Sequence, residues 1–312
     1  MTSPSSSDWL RPLGSTGLTV SALCAGGGVL SGMRQTFGYD VPRSQAVDVV
    51  LRVLDSPIRW IDTSNGYGAG EGELRIGQAI AEYGGLPGDF LVATKVDADG
   101  RDYSGERVRR SVAESKERLD LAELPLVYLH DPEFHDFESM RDAVDTLMQL
   151  REDGEIGHVG LAGGDTTELA RYLDLGAFEV LLVHNRWSLV DQSAGELIRR
   201  GVADGIAVVY GGGILANPRG ATRYAYREAS PAVLEAVAEM DRACREHGTD
   251  LATAALRHST GNPDIAATVV GISKPERVGQ LIAAMEAELP AALLDRLNEL
   301  RPDPRHWIEG LR

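Results

Sequence analysis

An acid, a phenol, an ammonium and an imidazole stand at Asp62, Tyr67, Lys95 and His130. Asp62 follows the apolar run 58–61, Lys95 follows 90–94, and His130 follows 124–129. Tyr67 lies just past the acid, in the turn Asn65-Gly-Tyr-Gly-Ala-Gly70. Taken singly, each has an ordinary explanation: a helix cap, a solvated strand end, a satisfied core histidine, a rim aromatic. Together, at the ends of neighbouring strands, they suit carbonyl reduction or its reverse, in which hydride moves at carbon and a proton moves at oxygen. An unperturbed phenol has a pKa of roughly 10, and a nearby ammonium favours the phenolate. Lys95 can supply that ammonium, Asp62 can hold Lys95 by an ion pair, and His130 can orient the carbonyl oxygen. Proton transfer of this kind typically contributes ~10²–10⁴-fold in rate.

Such a set needs parallel strands side by side. Apolar runs at 20–25, 58–61, 90–94, 124–129, 157–162, 179–183, 205–209 and 266–270 read as eight strands. Helical spacing separates them, at 43–56, 71–83, 104–121, 138–152, 166–175, 193–204, 231–247 with 251–257, and 275–286. Eight strand–helix units with no linker or composition shift predict the α/β class and a closed (β/α)8 barrel of the TIM type. One domain spans residues 1–312, with a short N-terminal hairpin around residues 13–18 and an extra C-terminal helix over 291–300. The Ser-rich residues 1–9 are expected to be a disordered tail. Ligands of such barrels bind at the carboxyl ends of the strands. There, Gly26, Gly27 and Gly28 allow close approach of a ligand, and the long 211–230 loop is expected to be functional. Met33, Tyr39 and Trp187 are candidate rim contacts to substrate.

Composition narrows the partners. The net charge is -16 and the pI about 4.9, which argues against nucleic acid and against anionic membranes. No apolar run approaches the roughly 20 residues of a membrane span, and the N-terminus has no signal-peptide core. A cytoplasmic monomer or small homo-oligomer is expected. Cys24 and Cys244 read as buried thiols, not as a disulfide framework. A metal-dependent hydrolase needs several His and acid ligands at strand ends. Only His130, His184 and Asp62 are so placed, and no metal is expected.

The sequence resembles the aldo-keto reductase family over nearly its whole length. The matching motifs are Asp62-Thr-Ser64 with Tyr67-Gly68, Ala93-Thr-Lys95, Leu129-His-Asp-Pro132 and Leu13-Gly-Ser-Thr-Gly-Leu-Thr-Val-Ser21. The resemblance implies that Asp62, Tyr67, Lys95 and His130 form the catalytic tetrad. It also implies that the barrel binds NADP or NAD without a Rossmann domain, and no G-x-G-x-x-G follows a strand here. It further implies cofactor contacts at Gly27, Gly28, His184, Asn185, Tyr210 and Gly211. In the segment 270–280 it implies Ser273, Lys274, Arg277 and Gln280 against the adenosine phosphate and adenine, where a loop enters a helix N-terminus.

Three departures stand out. Gly271-Ile272 replaces the Lys or Arg of many NADP-preferring members. Ala162-Gly-Gly164 replaces a Ser-Asn pair. His184 stands where a Gln is usual. Similar departures, and the Leu189-Val-Asp-Gln192 segment, resemble the sugar and lactol dehydrogenase branch (D-threo-aldose and L-fucose dehydrogenases). This implies oxidation of an aldose or lactol at its anomeric carbon with NAD(P)+. The alternatives are NADPH-dependent reduction of small aldehydes or ketones, and a non-catalytic NADP(H)-binding regulatory barrel.

Overall fold

Short strands with a two-residue period, and helices with one apolar stripe, bury that surface fully when the strands close on themselves and the helices wrap them. The computed structural model, which describes residues 9–211, 222–225 and 227–308, has this arrangement. Strands β1 (Leu10–Pro12) and β2 (Thr19–Ser21) make the expected antiparallel hairpin. The main series then runs β3 (Leu23–Gly26), α1 (Arg34–Phe37), α2 (Arg43–Leu54), β4 (Trp60–Asp62), α3 (Glu71–Tyr83), β5 (Leu91–Val96) and α4 (Gly105–Leu119). It continues with β6 (Leu126–His130), α5 (Arg141–Glu152), β7 (His158–Gly163), α6 (Thr166–Leu173), β8 (Val180–His184), α7 (Gly195–Ala203) and β9 (Ala207–Gly211). A two-stranded ribbon, β10 (Arg223–Tyr224) with β11 (Arg227–Glu228), precedes α8 (Pro231–Glu246) and α9 (Leu251–Thr260). Strand β12 (Ala267–Gly271), α10 (Glu276–Glu286) and the expected extra helix α11 (Ala291–Glu299) complete the series. Among the described residues, β3 to β9 and β12 form a closed parallel barrel, with β12 pairing β3 through Gly271 opposite Gly26.

The pleat sorts the core into two layers. Cys24, Trp60, Ala93, Tyr128, Leu182 and Val209 fill the barrel interior. Their strand neighbours Ala25, Ile61, Val92, Leu129, Val183 and Val208 pack outward against the helices. Leu13 and Val20 of the hairpin join the interior cluster, so the hairpin stops the amino-terminal end of the barrel. A smaller cluster ties α8, α9 and α11 together through Val237, Met240, Ala254, Leu293 and Leu297. Side-chain caps start several helices: Ser104 accepts from Arg107 N–H, Asp165 from Thr167 and Glu168, and Asp250 from Thr253.

The tail ends earlier than expected. Trp9 is buried and its carbonyl accepts the Ala22 N–H at 2.7 Å, because an indole beside the hairpin gains by packing what it would lose in water. Residues 1–8, and positions 212–221 and 226 of the 211–230 loop, lie outside the described residues. Helix α1 and the β10–β11 ribbon were not foreseen, since four-residue and two-residue elements are too short to show a period. Among the described residues no helix is long and apolar enough to cross a membrane.

Interior packing is tight where a glycine faces Tyr128. A Cβ at Gly160 would sit 2.3 Å from Tyr128 Cδ1, and the ring is fully buried. Gly160→Ala is expected to destabilise by about 1–3 kcal/mol through overpacking. Gly279→Ala, on α10 with open space around it, is expected to be neutral or to stabilise by up to about 1 kcal/mol. Denaturant midpoints of the two variants check the contrast.

Candidate active site

The two-residue period decides which strand-end residues share a face. Trp60 with Asp62, Ala93 with Lys95, and Tyr128 with His130 alternate inward, so acid, ammonium and imidazole reach the barrel axis at one level. The register agrees: Asp62 pairs with Ala93, and Lys95 with Tyr128. The same period brings in Gly26, Ala162, His184, Gly211 and Gly271, and these eight residues line one cavity of about 500 Å³. Loop residues complete its wall: Gly28, Phe37 and Tyr39 from the first loop, Tyr67 from the second, Asn185 after β8, and Arg223 with Tyr224 from the ribbon.

Lys95 and Asp62 form a buried ion pair, Nζ to Oδ1 at 2.5 Å, with Lys95 only 2% exposed. Nζ also donates to the Thr63 carbonyl at 2.6 Å and to the Tyr67 hydroxyl at 3.4 Å. Burial pulls the Lys95 pKa down, but Asp62 and the Tyr67 oxygen outweigh it, so the ammonium is held above its usual range. Burial raises the Asp62 carboxyl, and Lys95 opposes that rise without cancelling it. Asp62 Oδ2 is buried with no hydrogen-bond partner among the described residues. The lysine is therefore a fixed positive charge aimed at a phenol.

Tyr67 begins a tight 3-10 turn, Tyr67–Gly70, with left-handed backbone at Gly68 (φ 62°), Ala69 (φ 56°) and Gly70 (φ 95°). Gly68 is required twice, for its φ and because a Cβ there would lie 2.1 Å from the Ser31 carbonyl. The preceding loop is bolted to α4. Asn65 Nδ2 donates to the Ser111 carbonyl at 3.2 Å, and Arg107 returns a hydrogen bond to Asn65 Oδ1 at 2.7 Å. The Tyr67 ring meets His130 edge to face at 5.6 Å between centroids.

His130 is held by a residue the sequence reading missed. Asp97 Oδ1 lies 2.6 Å from His130 Nδ1, and Asp97 Oδ2 accepts from Ser64 Oγ and from Gly66 N–H. Burial lowers the His130 pKa, but Asp97 and Asp131 outweigh it and raise it above the ordinary value. Burial pushes Asp97 up, and His130 outweighs that and holds its carboxyl low. Asp97 lies one residue past β5, and nothing local in the sequence marks its contact with another strand. His184 Nε2 is 3.4 Å from Asp131 Oδ1, and Asn185 Nδ2 is 3.2 Å from His184 Nδ1. Asp131, Glu133 and His184 bring donor atoms within 4.8 Å of one another. Glu133 Oε1 accepts the Gly164 and Asp165 N–H groups, while its Oε2 is buried with no hydrogen-bond partner among the described residues.

The other sequence candidates divide. Gly28, His184, Asn185, Gly211 and Tyr39 line the cavity. Gly27 packs behind it, its N–H on the Asp62 carbonyl at 2.7 Å. Tyr210 is not in the cavity lining among the described residues: between inward Val209 and inward Gly211 it packs with the outer layer. Met33 is half-buried off the lining, and Trp187 stacks on His258 at 6.0 Å instead of meeting the cavity. Ser273, Lys274, Arg277 and Gln280 lie beyond β12, whose Val269, Val270 and Gly271 form the cavity edge. There the Ser273 carbonyl accepts from Gln45 at 2.6 Å, and Arg277 donates to Gln280 at 2.8 Å.

A dinucleotide fits this mouth. Glycines 26, 28, 211 and 271 leave a backbone-lined edge, and a Cβ at Gly28 would already touch Phe37 and Tyr67 at 3.4 and 3.5 Å. Cations at Lys274 and Arg277 flank the start of α10 for an anionic end.

A barrel with a lysine-backed phenol and an imidazole at its mouth defines an oxidoreductase of the CH–OH/C=O class. The chain belongs to the aldo/keto reductase family, which it matches over residues 23–302 and whose members use NAD(P)H. It is similar to D-threo-aldose 1-dehydrogenase of a Pseudomonas species, 28% identical, covering 92% of this chain and 96% of that protein. It is also similar to L-galactose dehydrogenase of Arabidopsis thaliana, 29% identical, covering 92% and 91%. Among solved structures, a holo aldo-keto reductase from Bacillus halodurans superposes with a TM-score of 0.77 at 21% identity, covering 97% of this chain and 99% of that one.

Two stability outcomes follow from the charges. Lys95→Met strands a buried carboxylate and is expected to cost about 3–5 kcal/mol. Adding Asp62→Asn should then recover part of that loss, which a double-mutant cycle in denaturant would read. For the imidazole pair, the Asp97 contribution is present above its ordinary value of 3.8 and is lost as pH falls through its lowered pKa. The His130 contribution is complete below its ordinary 6.5 and fades as pH rises through its raised pKa. The Tm advantage of wild type over His130→Gln should therefore peak between about pH 4 and 6.5 and shrink on both sides.

Proposed function

We propose that one catalytic domain spanning the chain oxidises an aldose or lactol at its anomeric carbon, with Tyr67 as the proton-transferring group. The observation that carries this reading is the contact chain from Asp62 through Lys95 to the Tyr67 hydroxyl, at 2.5 and 3.4 Å, on the wall of the cavity. When bound, NAD(P) supplies or accepts the hydride. Tyr67 takes the hydroxyl proton as the carbonyl forms, and returns it in the reverse direction. Lys95 stabilises the phenolate that does this, and Asp62 keeps Lys95 charged and still. His130 hydrogen-bonds the substrate oxygen and sets it against Tyr67, whose ring it touches edge to face. Gly28, His184, Asn185 and Gly211 would hold the ring end of the cofactor, and Ser273, Lys274, Arg277 and Gln280 its adenosine end. The choice between NAD and NADP falls to that second group.

The sugar assignment is supported by the names of the two relatives above and by Arg223, a polar side chain on a mostly apolar cavity wall that can meet hydroxyls. Apolar Val29, Phe37, Leu182 and Val270 complete that wall.

The test is an initial-rate assay of wild type and Tyr67→Phe with NAD+ and NADP+ over an aldose panel, then with the reduced cofactors over an aldehyde panel. Loss of roughly 10²–10⁴-fold in kcat is expected in the variant, with cofactor binding retained. Equal rates would remove Tyr67 from the chemistry. Turnover confined to aldehydes with reduced cofactor would replace the sugar assignment by an aldehyde reductase.

A further inference from the structure

Glu73 is a buried carboxyl that the chemistry above does not use. It lies in the first turn of α3 and is fully buried. Burying such a group is costly unless hydrogen bonds compensate it. Thr94 Oγ1 donates to Oε1 at 2.6 Å, and Arg118 Nη1 donates to Oε2 at 3.3 Å. Burial pushes the carboxyl up, and Thr94, Ser115 and Arg118 oppose that rise without cancelling it.

The partners of Glu73 are chain neighbours of the reacting pair. Thr94 immediately precedes Lys95 on β5, on the other side of the pleat. The Arg118 nitrogen that meets Glu73 also donates to the Asn65 carbonyl at 3.1 Å, just before the Tyr67 turn. Helix α3 starts where that turn ends, so Glu73 follows it without a break. The backbone holds the entry of the turn to β5, Asn65 N–H to the Lys95 carbonyl at 3.1 Å. Glu73 holds its exit to β5 through Thr94. Arg118 is itself fixed, because α3 presses onto α4 around it. A Cβ at Gly70 would lie 2.5 Å from Arg118 Cζ, and one at Gly77 would lie 2.3 Å from the Arg118 carbonyl oxygen.

We propose that Glu73 is a positioning residue that sets the distance between the Lys95 ammonium and the Tyr67 hydroxyl. The inference rests on the assignment of Tyr67 as the proton-transferring group made above. That contact is 3.4 Å, with Nζ 4.8 Å from the ring centroid. Lys95 is not free to follow the phenol, since Asp62 and the Thr63 carbonyl hold its nitrogen. Any shift of the turn therefore changes the separation directly, and Coulomb stabilisation of the phenolate falls as it grows. Glu73 lies outside the cavity lining and acts through Thr94 and Arg118.

The test breaks one limb of the clamp at a time. Thr94→Val keeps the shape and removes the donor, whereas Thr94→Ser keeps the donor. Arg118→Met removes the other limb at a partly exposed position. Lys95 with its partner Asp62, and His130, are the ionisable groups around Tyr67, and these variants leave all three in place. The first readout needs no turnover: the titration of Tyr67 by NMR in ring-labelled tyrosine, assigned by the signal lost in Tyr67→Phe. In Thr94→Val and Arg118→Met, Tyr67 should ionise about one pH unit higher than in wild type. Thr94→Ser should titrate as wild type does. In the oxidation direction, kcat at a fixed pH below the break should fall about tenfold per unit of displacement, with KM little changed. A Thr94→Val protein that does not fold leaves the decision to Arg118→Met. A Tyr67 titration that stays in place in the folded variants, whatever their loss of Tm, would make Glu73 purely structural and overturn the proposal. So would a Thr94→Ser protein that shifts as far as Thr94→Val. Absence of turnover with every substrate would defeat the proposed function, and the titration would still decide the positioning role.

Discussion

The buried pair of Lys95 and Asp62 is the constraint on which the site depends. Withdrawing two charges from water costs several kcal/mol per ion, and apolar residues of the same volume would often serve stability as well or better. The pair is compensated only because its surroundings are exact to an ångström scale. Nζ finds Asp62, the Thr63 carbonyl and the Tyr67 hydroxyl, while Asp62 Oδ2 stays unpaired among the described residues. Such an arrangement is better explained by its electrostatic effect on Tyr67 than by its contribution to folding. It also explains why the barrel must close in this register: a slip of one residue would turn Lys95 outward into the helix layer.

Rigidity of the phenol follows from the same logic. A loop rich in glycine would wander if backbone permissiveness were its only property. Here Gly66, Gly68 and Gly70 are packing residues, each with an atom inside 3.0 Å of where a Cβ would stand. Arg107 and Asn65 fasten the chain before the turn to α4. Arg118 ties the Asn65 carbonyl and the fully buried side chain of Glu73 to the same helix. A misplacement of about 1 Å at a reacting group can cost ~10²-fold in rate, and this loop has few ways to move.

The alternation of apolar runs was enough to read the barrel, the hairpin and the last helix, because closure is the economical burial for eight such units. Asp62, Lys95 and His130 were legible because polar groups that end apolar strands have few places to point, and Tyr67 because it stands in the turn just past one of them. Tyr210 and Trp187 fall outside the described cavity lining, because an aromatic beside a strand end need not face the ligand once the pleat and the following loop are counted. Tyr210 is one position out of phase with the cavity, and Trp187 turns onto His258. Asp97 was invisible for the opposite reason. It stands past the end of the strand pattern, where composition reads as loop, and its importance lies in a contact with His130 on another strand. Pairings between loops on separate strands leave no local trace in a sequence.

Lys95 and Asp97 stand two residues apart on one strand end and carry opposite charges towards different proton carriers. The ammonium meets the Tyr67 oxygen and favours the phenolate. The carboxylate meets Nδ1 of His130 and favours the imidazolium. Left alone, a phenol and an imidazole titrate more than three units apart, roughly at 10 and 6.5. Asp97 and Asp131 raise the imidazole above its ordinary value, and the two rings meet edge to face. Lys95 within β5 and Asp97 one residue past its end thus set opposite charges against two neighbouring rings.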